Sequence, residues 1–380
     1  MRSVLLGSTA LVAAASITGA AQAAQGVQLG LGGYYQAAAG ILFSQDDGTG
    51  EPGHNTRDVV FRQDVEVHFK GETKLDNGLT VGARIEMEGQ QSDDQIDEVW
   101  AYFKGGWGQV RFGDDDDAYE QLSYLIPSAS KGLFGVDSPH FEFANNRNGA
   151  GNQAQTNATI FRLSGDATKV LYFSPTFAGF NFAISYAPDR FGEDQYSGFV
   201  TGNNPGGTSF SSNTNQLQDV FAAALNFGHD FGGFKMQTGI GGGFGKWENP
   251  APGQDDTSYL IRGHLQFSFD GFTIGGAGLY QDNWRGGAAV PDVNRWVAGI
   301  GGTYNWDAWT VGLAWSHGNY EVSSNSDDDT LDIVEATGSY DLAPGISIDA
   351  MIGYNQYIND SNATANDHTW EAGMGFNIGF

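Results

Sequence analysis

The chain contains no cysteine, which excludes a disulfide framework, a thiol nucleophile and a thiolate metal site. Basic residues are few, 18 Lys and Arg against 45 Asp and Glu for a formal charge of −27. A chain this acidic is a poor partner for nucleic acid, and none is expected. Long apolar runs are also missing: past the N-terminal segment nothing approaches the roughly 18–20 apolar residues of a membrane helix. Together with a mean hydropathy of −0.32, this would class the product as water-soluble. The inference fails for a chain that crosses a membrane as strands, because a barrel strand gives only half its residues to lipid.

Catalytic motifs are absent too. The sequence holds no Gly-x-Ser-x-Gly elbow and no His-Glu-x-x-His. The run Gly241 to Trp247 resembles a phosphate loop until its spacing is checked: Ile240 stands where the first Gly belongs, and Trp247 where Ser or Thr should be. The seven histidines are scattered, and His68 reads as a lumen residue paired with Glu86 rather than a metal ligand. No enzyme is expected. A hydrolase assembled from Ser, His and a polar third residue on a barrel surface is the least favoured alternative.

What is present is glycine, 56 of 380 residues, with aromatics at 13%, a composition of close-packed strands rather than helices. At the N-terminus Arg2, the apolar run Val4 to Ile17 and Ala21-Gln22-Ala23 form a secretory signal with a cleavage site, so residues 1–23 are expected to leave. At the other end Trp370, Ala372, Met374, Phe376, Ile378 and Phe380 share one parity, and Glu371, Gly373, Gly375, Asn377 and Gly379 the other. That is the alternation of a strand apolar outside and polar inside.

Such segments recur, joined alternately by short and long connectors. The short ones, among them Asp76-Asn77-Gly78, Gly106-Trp107, Asp270-Gly271 and Ala343-Pro344-Gly345, have hairpin chemistry. The long ones, at 44–57, 91–94, 114–166, 190–216, 248–257, 284–292, 322–329 and 358–366, are polar and hold most of the acid clusters. About sixteen strands result, an even number with both termini on the short-turn side, so residues 24–380 are expected to form an all-β transmembrane antiparallel barrel. A soluble sandwich also alternates. It has no reason to segregate loop length by side, or to place Phe177/Phe180, Phe231/Phe234, Phe269/Phe272 and Trp306/Trp309 beside short turns as an interfacial girdle.

Taking Asp76-Asn77-Gly78 as a three-residue loop pairs Leu75 with Leu79, Lys70 with Arg84 and His68 with Glu86. Val65, Val67, Phe69, Val81, Ala83, Ile85 and Met87 then face outward. Arg62, Asp64, Glu66, His68, Lys70, Glu72, Arg84, Glu86 and Glu88 face inward, a charge density that only a water-filled lumen holds. The next hairpin sends Glu98, Trp100, Tyr102, Lys104 and Arg111 inward. A barrel of about sixteen strands is too wide for side chains to fill. The connector 114–166 is the candidate for narrowing it. Its apolar patches at Leu122 to Ile126 and Leu133 to Val136 suit a loop folded back on the barrel wall better than a polar excursion in water.

Three stretches carry a resemblance over the whole mature chain: Asp97 to Gly105 running into Gly108 to Asp114, Val170 to Phe180, and the terminal phenylalanine. They resemble the Gram-negative general porins, in the branch typical of alphaproteobacteria and exemplified by the Rhodobacter porin. The resemblance implies a sixteen-stranded, trimeric outer-membrane barrel whose third external loop folds into the lumen. Acids on that loop face bases on the wall across a constriction. Carried over, the loop acids are Asp114, Asp115, Asp116, Asp117, Glu120, Asp137 and Glu142, and the wall bases are Arg62, Lys70, Arg84 and Arg111. It further implies contact with outer-membrane lipid and lipopolysaccharide, and a role for Phe380 as a signal to the assembly machinery. The expected function is passive diffusion of ions and small hydrophilic solutes, with a weak cation preference because acids outnumber bases. A sugar-selective porin with an aromatic track is the alternative, and a structural or adhesive barrel is less favoured. No cofactor is expected, although acid clusters at the mouth suit a structural Ca²⁺, without the spacing of an EF-hand.

Overall fold

The computed structural model describes residues 26–43, 58–89, 95–130, 132–137, 139, 141, 143, 157–190, 216–248, 250, 252–253, 255–284, 293–321, 328–359 and 366–380. The proposed signal segment, the acid pairs Asp46-Asp47 and Asp93-Asp94, and Glu142 lie outside the described residues.

The alternating segments are sixteen strands: β1 (Gln28–Phe43), β2 (Val59–Lys74), β3 (Thr80–Glu88), β4 (Ile96–Gly105), β5 (Gly108–Asp114), β6 (Thr168–Phe173), β7 (Phe180–Asp189), β8 (Leu217–Asp230), β9 (Lys235–Trp247), β10 (Thr257–Phe269), β11 (Phe272–Asp282), β12 (Arg295–Trp306), β13 (Trp309–Tyr320), β14 (Asp329–Ala343), β15 (Ile346–Ile358) and β16 (Asp367–Gly379). One helical turn, α1 (Ala118–Gln121), interrupts the series between β5 and β6. Each strand pairs with its chain neighbours, and β16 returns to β1, so the barrel closes. The closing ladder runs from Phe43 opposite Trp370 to Tyr34 opposite Gly379. Beyond it Gly33 and Phe380 exchange both main-chain hydrogen bonds, at 3.0 and 3.1 Å. Closure leaves no row of unpaired amides facing lipid, where each would cost several kcal/mol.

The chain turns tightly after every even-numbered strand and takes a long connector after every odd-numbered one. In the β2–β3 turn Gly78 has φ +83 and donates its amide to Leu75 at 2.9 Å. Lys70 meets Arg84 and His68 meets Glu86, the register expected from the turn alone. Outside, apolar residues stand bare, as with Phe61 at 79% and Met374 at 63% exposure, which suits a hydrocarbon surround. Beside the short turns aromatic rings form a belt, with Phe231–Phe234, Phe272–Tyr304 and Trp309–Tyr340 centroids 4.9, 4.4 and 4.6 Å apart. Along Ala37 to Gly40 the alternation continues: Ala38 is buried, and Gly40 turns inward under Phe143.

Candidate functional site

The described residues of the connector between β5 and β6 pack against the inner face of the barrel. Its apolar residues are spaced to meet successive stretches of wall, and those stretches are built of small side chains. Tyr119 of α1 and Leu163 of the returning limb pack with Val220, Ala222 and Leu260. Ile126 packs with Ala277, Val297 and Ala314. Leu133, Phe134 and Phe143 pack with Ala38, Leu42 and Met351. Glycines make this approach possible: a Cβ on Gly241 would stand 2.8 Å from Tyr119, on Gly375 2.7 Å from Leu133, and on Gly373 2.6 Å from Phe143. Atoms that close force one partner to move.

Polar latches complete the attachment. Arg262 donates to the carbonyls of Thr159 and Tyr124, both at 2.6 Å. Asn157 donates to Ser316 Oγ at 3.1 Å and to the Leu331 carbonyl at 2.7 Å, and Thr337 Oγ1 accepts the Ala129 amide at 3.0 Å. Arg295 is held by Gln281 and lies 3.6 Å over the Phe161 ring. These partners come from β10, β12, β13 and β14, so the loop covers the inner face on that side of the barrel.

The opposite wall is less covered, most of all on β2, although Glu86, Trp100 and Tyr102 beside it are buried. Lys70 and Glu72 side chains are 52% and 41% exposed, whereas Arg262 and Arg295 on the covered wall are 2% and 4% exposed. Among the four wall bases Arg62 is exposed opposite Ala38. Lys70 pairs with Glu72 at 3.1 Å. Arg84 pairs with Glu86 and donates to His68 Nδ1 at 3.0 Å, while His68 Nε2 meets Glu66 at 2.6 Å and Glu86 at 3.1 Å. Arg111 binds Asp115 at 3.0 Å, with Trp100 and Phe173 rings 4.1 and 4.7 Å from its guanidinium.

The loop acids do not act as one group. Asp114 accepts from Thr168, and Asp115 from Arg111 and Gln121. Asp117 accepts the amides of Leu163 and Ser164, at 2.9 and 3.1 Å, joining the two limbs of the loop. Asp137 does the same for Ile126 and Thr159, at 3.1 and 2.6 Å. Asp117 and Asp137 are therefore buried in the loop's own framework. Asp116 and Glu120 lie with Arg162, at 3.2 and 3.1 Å, and Arg162 also holds Asp166 at 2.9 Å. Burial raises the pKa of Asp116, Glu120 and Asp166, and neighbouring carboxylates add to it. Burial works against the Arg162 cation, but Glu120, Asp116 and Asp166 more than reverse this and hold it charged.

Arg162, Asp166 and Glu98 are absent from the set expected from sequence. Arg162 and Asp166 lie in an irregular segment with no periodicity to give them a direction. The carboxylates that converge come from separate elements, as with Glu98, Asp116 and Asp166 from β4 and the two loop limbs. The consecutive acids Asp114 to Asp117 diverge, so that run forms no common cation site.

A sequence model of the family described as Gram-negative porin matches residues 7–361. Comparison with curated protein sequences finds no match. Among solved structures the chain is similar to OmpT, an outer membrane protein of Vibrio cholerae, with TM-score 0.63 and 11% identity over 93% of this chain and 98% of that one. It is similar to an anion-selective porin from Comamonas acidovorans, with TM-score 0.57 and 15% identity over 93% and 100% of the two chains. A mutant of the Rh. blastica porin gives TM-score 0.53 and 15% identity over 93% and 100%. At these identities the likeness is one of fold.

Proposed function

Since the chain belongs to the Gram-negative porin family, we propose that it is a non-enzymatic outer-membrane channel for passive diffusion of ions and small hydrophilic solutes, weakly selective for cations. The observation that carries this reading is the contrast between two sides of the lumen: the Lys70 and Glu72 side chains on β2 are 52% and 41% exposed, while Arg262 and Arg295 are buried under the loop. Opposed charges across a narrow wet passage favour small polar solutes over apolar ones. The constriction comprises Arg62, Lys70, Arg84 and Arg111 on the wall and Asp115, Asp116 and Glu120 on the loop; Asp114, Asp117 and Asp137 shape the loop.

The sign of selectivity belongs to side chains rather than fold, for the Comamonas acidovorans porin shares the fold and is anion-selective. Here the covered-wall arginines are withdrawn into anchoring the loop, while around the passage Glu66, Glu72, Glu86, Asp115, Asp116, Glu120 and Asp166 outnumber Arg62, Lys70, Arg84, Arg111 and Arg162. That balance favours cations. A sugar track is less well supported, since Arg111 already covers the Trp100 and Phe173 rings.

The same reading has residues 1–23 removed on export, a homotrimer in contact with lipopolysaccharide, Phe380 read by the assembly machinery, and membership of the alphaproteobacterial branch. A trimer form is known for the Vibrio cholerae OmpT. Purified protein in a planar bilayer under a KCl gradient tests the function. A cation-signed reversal potential and passage of small neutral solutes are expected. Absence of conductance rejects the channel, and an anion sign rejects the selectivity.

A further inference from the structure

Arg162 is the only basic residue among the described residues of 114–166. Its Nε lies 3.2 Å from Asp116 and 3.1 Å from Glu120, and its Nη1 reaches both oxygens of Asp166 at 3.0 and 2.9 Å. Glu98 adds a fourth acid: one carboxylate oxygen each from Glu98, Asp116 and Asp166 lie within 4.8 Å of one another. The Arg162 side chain is nonetheless 46% exposed to the lumen. The neighbouring cations are committed elsewhere. Arg111 is bound to Asp115 between two rings, and Lys169, 1% exposed, donates to the carbonyls of Asp115 and Gly165.

Resting on the channel reading above, we infer that Arg162 is a specificity-determining residue: a tethered counter-ion that lowers the negative charge of the passage and keeps its carboxylates from trapping divalent cations. Three convergent carboxylate oxygens are donors of the kind a hard divalent ion takes, water completing its shell, and like charges so close favour a cation between them. A guanidinium supplied by the chain is always present, forks to match two carboxylates, and cannot diffuse away. A divalent ion has to displace it, whereas a monovalent ion passes along the exposed side.

The test compares wild type, Arg162→Gln and Arg162→Lys as full chains in planar bilayers, reading reversal potential in a KCl gradient and K⁺ conductance against added Ca²⁺. For Arg162→Gln the K⁺/Cl⁻ permeability ratio is expected to rise roughly twofold or more, and Ca²⁺ to reduce conductance at concentrations that leave wild type unaffected. Arg162→Lys, which keeps the charge, is expected to follow wild type in both. A conducting Arg162→Gln channel unchanged in either readout overturns the inference, as does Arg162→Lys behaving like Arg162→Gln. Should Arg162→Gln fail to insert, Asp166→Asn decides: it removes one acid and leaves the cation, so selectivity must move toward anions, and no movement overturns the inference. A wild type without conductance overturns the channel reading and this inference together; a conducting wild type with an unaltered variant overturns the inference alone.

Discussion

The ring of Phe143 stands where a side chain on Gly40 would lie, with its Cγ closest to that position, so a loop residue and a wall glycine far apart in the chain occupy one site between them. Similar seats under Tyr119, Leu133 and the Gly373 side of Phe143 attach the long connector along the barrel wall. The width of the passage is then set by how close the loop lies to the wall.

Gly40→Val should push Phe143 off the wall and into the lumen. Overpacking of this kind costs about 1–3 kcal/mol, which a closed barrel tolerates. Single-channel conductance should fall by roughly a third or more while the barrel stays folded by circular dichroism. Unchanged conductance in a folded variant would show that the loop's seat does not limit the passage.

Leu133→Ala tests the attachment from the loop side. Leu133 is fully buried against Ala38, Leu42 and Met351. Its truncation leaves a cavity costing about 2–5 kcal/mol. The loss should appear as faster proteolysis of the connector and noisier open-channel current. A protease-resistant, quiet variant would mean that the polar latches hold the loop without this contact.

Arg111→Gln removes the cation paired with Asp115, a carboxylate with no exposed side-chain surface. Stranding a buried acid costs about 3–5 kcal/mol, lessened here by the partial exposure of Arg111. A lower midpoint in denaturant is expected, and Asp115→Asn in the same background should recover part of it. If the double variant is no more stable than the single one, the pair is not the source of the loss.

Acidification should weaken cation preference. Burial holds the pKa of Asp116, Glu120 and Asp166 above the ordinary carboxylate range of about 4, while Arg162 stays protonated. As pH falls through the raised values, these acids lose charge before exposed carboxylates do. Because the folded state raises them, their contribution to stability is fullest below the ordinary range and is lost as pH rises through the raised values. Reversal potentials measured over a pH series from alkaline to acid check this; a constant value across the series would mean that the three acids do not set selectivity.

The hairpin register was legible in the sequence because period-two alternation leaves a strand one choice of face and a tight turn leaves one pairing. Lys70 opposite Arg84 follows from those two constraints, whereas β1 and β16 are joined by no turn and their register is fixed by closure of the barrel. The apolar patches at Leu122 to Ile126 and Leu133 to Val136 announced in the same way that the connector has a surface to bury against. Which acids border the passage was not legible. Asp117 and Asp137 have the same residue type as Asp116 but serve backbone amides of the loop, a difference that arises only when the two limbs meet.

Alternation, turn chemistry and the segregation of long connectors thus determine antiparallel barrel strands with a charged inner face from sequence alone, because each acts between residues near in the chain or across one hairpin. The division of the lumen into a covered and an open wall, and the placing of Arg162 among Asp116, Glu120 and Asp166, belong to tertiary structure. An irregular loop has no repeat to assign a direction to each side chain, and its path is chosen by contacts with glycines and small residues on strands far away in sequence.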